Sequence, residues 1–191
     1  RLFNKTAREV CEGQQMDMEF EQMENVALDN YIRMIGLKTS VLLAASLQMG
    51  AILGGASAGN QQHIYAFGHN LGIAFQVQDD YLDAFGDPAK FGKQVGGDIL
   101  ANKKTFLTIK AMESCTEAQR KEMQRLMKEN PSNKVEKMLE IFRECGVDKW
   151  AFDLKDHYLN LALYHLEEMA VLSTRKEPLK QLAQFLVKRE Y

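Results

Sequence analysis

The sequence predicts an all-α protein. Apolar residues recur at three- and four-residue spacing along most of the 191-residue chain. Extended alternation, Asn-Gly or Asp-Gly hairpins and clusters of β-branched residues, which strands would need, do not occur. Only three prolines interrupt the helical pattern.

Successive segments carry that pattern from the N-terminal side. A first helix is expected from Phe3 to about Met23, with Val10, Gln14 and Asp17 on one face. A second is expected over about Val26 to Leu53 and a third over about Gln61 to Phe85. On the third, Ala66, Gly68, Gly72 and Ala74 make a surface small enough for neighbouring helices to approach closely. Gly86-Asp87-Pro88 should stop it. Residues Ala89 to Asp98 read as a glycine-punctuated loop carrying Lys90 and Lys93. A fourth helix should start near Ile99 with Asp98 as N-cap, placing Lys103 and Lys104 in its first turns. Thr116 and Gln119 form a capping box, and Asn130-Pro131-Ser132 should end that helix and cap the next. Val135, Met138, Leu139 and Phe142 form one apolar stripe, and Leu154, Tyr158, Leu161, His165 and Met169 form another. Pro178 is expected to open a last helix with Leu179, Leu182 and Leu186 inward.

At 46% hydrophobic and 26% charged, the chain can bury a sizeable core, and it shows no repeat or linker, so residues 1–191 read as one domain. A net charge of -2, with basic residues scattered among acidic ones, offers no footprint for nucleic acid. Cys11, Cys115 and Cys145 are odd in number and far apart, which suits reduced thiols in a cytoplasmic protein. No secretory signal opens the chain. The run from Val41 to Leu53 is broken by Ser46, Gln48 and Gly50, short of the roughly 18 apolar residues of a membrane span, so no span is expected. The chain opens on Arg1, already in helix-like sequence, and a missing beginning is expected.

Chemistry concentrates in the first half. From Thr39 to Gln78 there is no Asp, Glu, Lys or Arg, and this stretch ends on Asp79-Asp80-Tyr81-Leu82-Asp83. On a helix, Asp79 and Asp83 share a face one turn apart, with Asp80 about 100° round the axis. Such crowding is costly without a cation, although an acidic cluster at a solvated helix end simply faces water. Lys38 is the second anomaly: set among Ile35, Leu37, Val41, Leu42 and Leu43, its ammonium must snorkel or find a partner. Gln14, Asp17, Thr39, Gln76, Lys93 and Lys103 are further polar groups in or beside apolar helix faces. Magnesium is held by one or two carboxylates while substrate phosphates and water complete its shell, and lysines bind the remaining phosphate charge. Carboxylates and lysines around an apolar cavity therefore suit a diphosphate joined to a hydrocarbon.

At these residues the chain resembles the trans-type isoprenyl diphosphate synthases, the short-chain branch that includes farnesyl and geranylgeranyl diphosphate synthases. Gly13-Gln14-Gln15-Met16-Asp17 resembles the family's Gly-Gln-x-x-Asp, and Tyr31 through Lys38-Thr39 its Tyr and Lys-Thr helix. Phe75 through Asp83 resembles its second Asp-rich motif. Gly86-Asp87-Pro88, Gly92-Lys93, Gly97-Asp98-Ile99 and Asn102-Lys103-Lys104-Thr105 continue the pattern in the family's order.

The resemblance implies a helical bundle around a central apolar cavity, a homodimer, and a prenyltransferase that joins isopentenyl diphosphate to an allylic diphosphate. It implies Mg2+ held by Asp79, Asp80 and Asp83, and diphosphate contacts from Lys38, Lys93, Lys103, Gln14 and Asp17. Lys38, Thr39 and Gln76 are implied in catalysis, the last two by directing oxygen dipoles at the transient allylic cation. The family's first Asp-rich motif, with its neighbouring arginines, does not occur here. A bundle incomplete at its N-terminus, inactive alone, is therefore expected. A non-catalytic partner subunit is the alternative, and a pure helical interaction module explains none of the buried polar positions. The second metal motifs of terpene cyclases and squalene-type synthases are absent.

Overall fold

A computed structural model describes residues 1–87 and 95–188. Every regular element among the described residues is helical: α1 Leu2–Gln22, α2 Leu28–Ile35, a π-helical turn Gly36–Ser40, α3 Val41–Leu53, α4 Ala58–Phe85, α5 Gly97–Leu100, α6 Phe106–Ser114, α7 Glu117–Glu129, α8 Lys134–Glu144, α9 Val147–Glu167 and α10 Ser173–Lys188. The all-α expectation holds, and the first three helices fall within a few residues of their predicted bounds.

The second predicted helix is not a uniform α-helix. Between α2 and α3 the π turn winds in extra residues, and Ser40 Oγ donates to the Ile35 carbonyl five residues back, at 3.5 Å. Leu28–Leu53 is nonetheless one unbroken helical run. By length and composition it could cross a membrane, which the shorter Val41–Leu53 reading did not reveal. In this structure Tyr31, Met34, Ile35, Val41, Ala44 and Ala45 on that run are buried, and it packs against α1 and α4.

Helix α4 is the hub. The π turn, α3, α5, α6, α9 and α10 all pack on it. The small residues seen in the sequence explain part of this closeness: a Cβ at Gly68 would lie 2.8 Å from Ala44 Cα, and one at Gly72 would lie 2.7 Å from Ser40 Cα. Gly13 plays the same part on α1, where a Cβ would run into the backbone nitrogen of Lys38 and come within 2.8 Å of the Leu37 carbonyl carbon. Glycine at 13 thus sets α1 directly on the π turn. One apolar cluster joins Tyr31, Ile73 and Val77 to Phe106, Phe142 and Ala151, and a second joins Phe67 and Leu71 to Ala162, Leu166, Ala183 and Val187.

Several local expectations need correcting. Asp98 is not an N-cap: Gly96, with φ 84°, caps the single turn of α5, and the chain then breaks before Thr105 opens α6. Lys103 and Lys104 therefore lie between helices rather than in the first turns of one. Asn130 ends α7 as expected, in the left-handed conformation that the structure adds, but α8 starts after Asn133 rather than Ser132. Helix α10 begins at Ser173 with Pro178 inside it. Lys176, donating to the Glu167 carbonyl at 2.5 Å, ties the turn before that proline to the end of α9. Ala183 and Val187 point inward there, leaving Leu182 46% exposed.

The close approaches on α4 predict opposite outcomes for two glycines. Gly72→Ala should destabilise the chain by about 1–3 kcal/mol, because the new methyl overlaps Ser40. Gly59→Ala, which meets nothing within 4 Å, should be neutral or stabilising by up to about 1 kcal/mol. Urea midpoints of the two variants check the contrast.

Candidate functional site: an acid-lined cavity

The last turns of α4 carry the acidic trio into a cavity of about 320 Å³ whose wall is completed by α1, α2, the π turn and the segment from Asp98 to Thr105. Asp17, Lys38, Thr39, Gln76, Asp79, Asp80, Asp83 and Lys103 all line it. Phe20, Met34 and Ile35 supply apolar wall, so the cavity is mixed rather than simply apolar.

The three aspartates of the trio sit in different surroundings. Asp80 is buried, 5% exposed, and both oxygens are engaged: Tyr31 Oη donates to Oδ2 in a short hydrogen bond, and Gln76 Nε2 donates to Oδ1 at 2.9 Å. Burial pushes the Asp80 carboxyl up to about 7, against the opposing pull of those two hydrogen bonds. Tyr31 is raised as well, by its own burial first and by the neighbouring Asp80 charge next. Asp83 is half-buried, and burial raises its carboxyl above the usual range while the backbone N–H of Asp98, donating to Oδ2 at 2.9 Å, works the other way. Asp79 also lines the cavity and is half-buried.

Gln76 is engaged at both ends of its amide. Thr39 Oγ1 donates to its Oε1 at 3.3 Å while its Nε2 serves Asp80, so Thr39, Gln76, Asp80 and Tyr31 form one chain of hydrogen bonds across the π turn, α4 and α2. A carboxylate next to Thr39 and Lys38 in space but far in sequence is what the π turn and the glycine contacts make possible.

The lysines found partners rather than snorkelling. Lys38 Nζ meets Asp17 Oδ2 at 2.6 Å, across the α1 contact that Gly13 permits. Lys103 Nζ meets Asp98 Oδ1 at 2.5 Å, and this hydrogen bond holds the ammonium above its usual pKa. Asp98 thus serves two neighbours, anchoring Asp83 through its backbone and Lys103 through its side chain. Gly96 closes the return of the chain, its N–H donating to the Asp83 carbonyl at 2.5 Å. A Cβ there would sit 2.5 Å from Val135 Cγ1, and φ is positive, so glycine is required twice over.

Not every predicted residue arrives at the cavity. Gln14 is exposed on α1 and is not part of the lining. Lys93 lies outside the described residues, as do Lys90 and Gly92. Two lining residues had been given no site role: Tyr31, which entered only through the resemblance to the family's Tyr and Lys-Thr helix, and Asp98, which was read as a cap. Lys134, on a helix read as scaffold, is fully buried and donates to Leu100 O, Asn102 Oδ1 and Asn130 Oδ1 at 2.8–3.2 Å. It fastens the two left-handed asparagine turns behind the Lys103 segment.

As for a metal, the donors are hard carboxylate oxygens of the kind magnesium takes. Among the described residues no three His, Cys, Asp or Glu side chains are already gathered closely enough to hold an ion. Asp80 already accepts one hydrogen bond on each oxygen, from Tyr31 and Gln76, and lies deepest of the trio. Asp79 and Asp83, less buried, line the same cavity and would meet the one or two carboxylates that magnesium requires when phosphate and water complete its shell.

Comparison with known proteins bears on the whole arrangement. A curated short chain isoprenyl diphosphate synthase of Methanothermobacter thermautotrophicus is 35% identical over 182 residues, covering 95% of this chain and 56% of the relative. A geranylgeranyl diphosphate synthase of Saccharolobus solfataricus is 36% identical over 98% of this chain and 57% of its own length. The chain thus spans a little over half the length of these relatives. The crystal structure of geranylgeranyl pyrophosphate synthetase from Pyrococcus horikoshii superposes with a TM-score of 0.91 at 31% identity, over 98% of this chain and 57% of that one. The polyprenyl synthetase family model matches residues 1–145, the part that builds the cavity from Asp17 to Lys103. By fold, by motif and by sequence, the chain belongs to the polyprenyl synthetase family.

Proposed function

We propose that this chain supplies the metal- and diphosphate-binding wall of a prenyltransferase site that adds isopentenyl diphosphate to an allylic diphosphate. The observation that carries this reading is the convergence of Asp79 and Asp83 with Lys38 and Lys103 in one cavity. The names of its relatives, short chain isoprenyl and geranylgeranyl diphosphate synthases, support it.

In this reading Asp79 and Asp83 hold Mg2+, which acts when bound as a Lewis acid on the leaving diphosphate. Asp80 keeps the trio in register through Tyr31 and Gln76 instead of ligating directly. Lys38 and Lys103 are held near the site by Asp17 and Asp98 and turn toward the diphosphate as its carbon–oxygen bond breaks and negative charge grows on it. The uncharged stretch from Thr39 to Gln78 keeps water from the allylic cation. The double bond of isopentenyl diphosphate then attacks that cation, and loss of a proton regenerates the alkene.

Asp79→Ala should weaken Mg2+-dependent binding of inorganic diphosphate at least about 10-fold, as expected for loss of a charged ligand, with helicity unchanged. Calorimetric titration measures it, and undiminished binding in that variant contradicts the metal assignment. Lys38→Ala should weaken the same binding by a comparable factor; a lysine that only covered apolar surface would leave it unaltered.

Asp80 predicts a pH dependence. Folding raises its pKa from the ordinary value near 3.9 to about 7, so the fold favours the protonated acid. The resulting stability is present in full below about pH 4 and is lost as pH rises through about 7. Without metal, urea stability should fall between pH 5 and 8, by about 1.4 kcal/mol for each pH unit over which the unfolded state alone has ionised. Asp80→Asn should flatten that fall; an equally steep profile in the variant places the titrating group elsewhere.

A further inference from the structure

A second cavity, about 1100 Å³, lies between the α1–α2 connection, α6 and α7, and the acid-lined site uses none of it except Lys104, which borders both. Its volume is slightly above the roughly 300–1,000 Å³ of most small-molecule sites. Val26, Ile109, Met112 and Met127 give it an apolar wall, and Lys104, Arg120 and Lys128 give it cationic groups.

Those three cations differ from their neighbours on α7. Lys121 pairs with Glu117, and Arg125 pairs with Glu122 and Glu129, as exposed helix charges at three- and four-residue spacing commonly do. Among the described residues, Lys104, Arg120 and Lys128 make no ion pair. Arg120 is further constrained: Nη2 donates to the Met112 carbonyl at 3.0 Å, and Nε is buried without a hydrogen-bond partner. The other Nη donors of this guanidinium have no acceptor among the described residues and remain for an anion. The wall also carries two acids, but Glu113 already meets Lys110 at 3.6 Å, leaving Glu24 against three cations.

We propose that this cavity is a binding site for a phosphate monoester with a short apolar body. Arg120, supported by Lys104 and Lys128, takes the dianionic head, for which a planar guanidinium is well suited. The methionines and Ile109 take the apolar part, and the flexible thioethers adapt to its shape. The two cavities differ in charge. The acid-lined one, with Asp17, Asp79, Asp83 and Asp98 on its wall, repels an anion until a divalent cation is present, whereas this one binds the anion without metal.

Hexyl phosphate titrated calorimetrically into the chain in the presence of a metal chelator tests the proposal. Binding is expected, with inorganic phosphate weaker, Arg120→Gln weakening hexyl phosphate at least about 10-fold, and Lys38→Ala, in the other cavity, leaving it unchanged. Because Arg120 also holds the Met112 carbonyl, a circular dichroism melt accompanies the variant. If that variant does not fold, the exposed Lys128→Gln carries the test, with about a 3- to 10-fold weakening expected. Absence of metal-free binding, unchanged affinity in both α7 variants, or loss of binding in Lys38→Ala would overturn the assignment.

Discussion

The buried carboxylate of Asp80 is the constraint around which the site is arranged. An ionisable group 5% exposed in a helical core is tolerated only if its oxygens are satisfied, and Tyr31 and Gln76 satisfy both. Meeting that requirement draws α2 against the end of α4 and, through Thr39, fixes the π turn beside them. Once these elements are in place, Asp79 and Asp83 are carried on the same helical turn to the cavity, where their charge is useful. The like-charge crowding of the trio is relieved in part because one member is kept partly protonated by its surroundings.

Backbone proximity makes the arrangement possible. Gly13 lets α1 rest on the π turn so that Asp17 reaches Lys38, and Gly72 lets α4 rest on Ser40. Gly96 brings the returning chain onto Asp83, so that Asp98 reaches Lys103. Three glycines at separate places in the chain thus help bring two lysine–aspartate pairs to the wall of one cavity. In the proposed reaction these pairs hold positive charge in reserve, close to where a leaving diphosphate would develop negative charge.

Much of this was legible in the sequence, for identifiable reasons. Helical periodicity and the scarcity of strand signals gave the class, and an uncharged stretch ending on three aspartates marked the site. Small residues on α4 correctly indicated close packing. The π turn was not legible, because Gly36 through Ser40 has the composition of ordinary helix and its register depends on tertiary contact with α1 and α4. The partners of Lys38 and Asp80 were hidden for a similar reason: Asp17 and Tyr31 lie 21 and 49 residues away, and only the packing of elements brings them near. Asp98 was misread because a lone acid before an apolar residue looks like a cap whether or not a positive-φ glycine already serves there. Leu182 was misplaced because α10 begins five residues before Pro178, and its inward face is set by contact with α4 and α9.

The central claim is that the Asp79 turn is a metal site served by lysines across one cavity. Crystals grown with Mn2+ and inorganic diphosphate, examined by anomalous diffraction at the manganese edge, test it most directly. The account predicts an anomalous peak within bonding distance of Asp79 and Asp83 carboxylate oxygens, with diphosphate between it and Lys38 or Lys103, and Asp80 still bonded to Tyr31. A peak elsewhere, or diphosphate bound in that cavity with no metal beside those carboxylates, would contradict it.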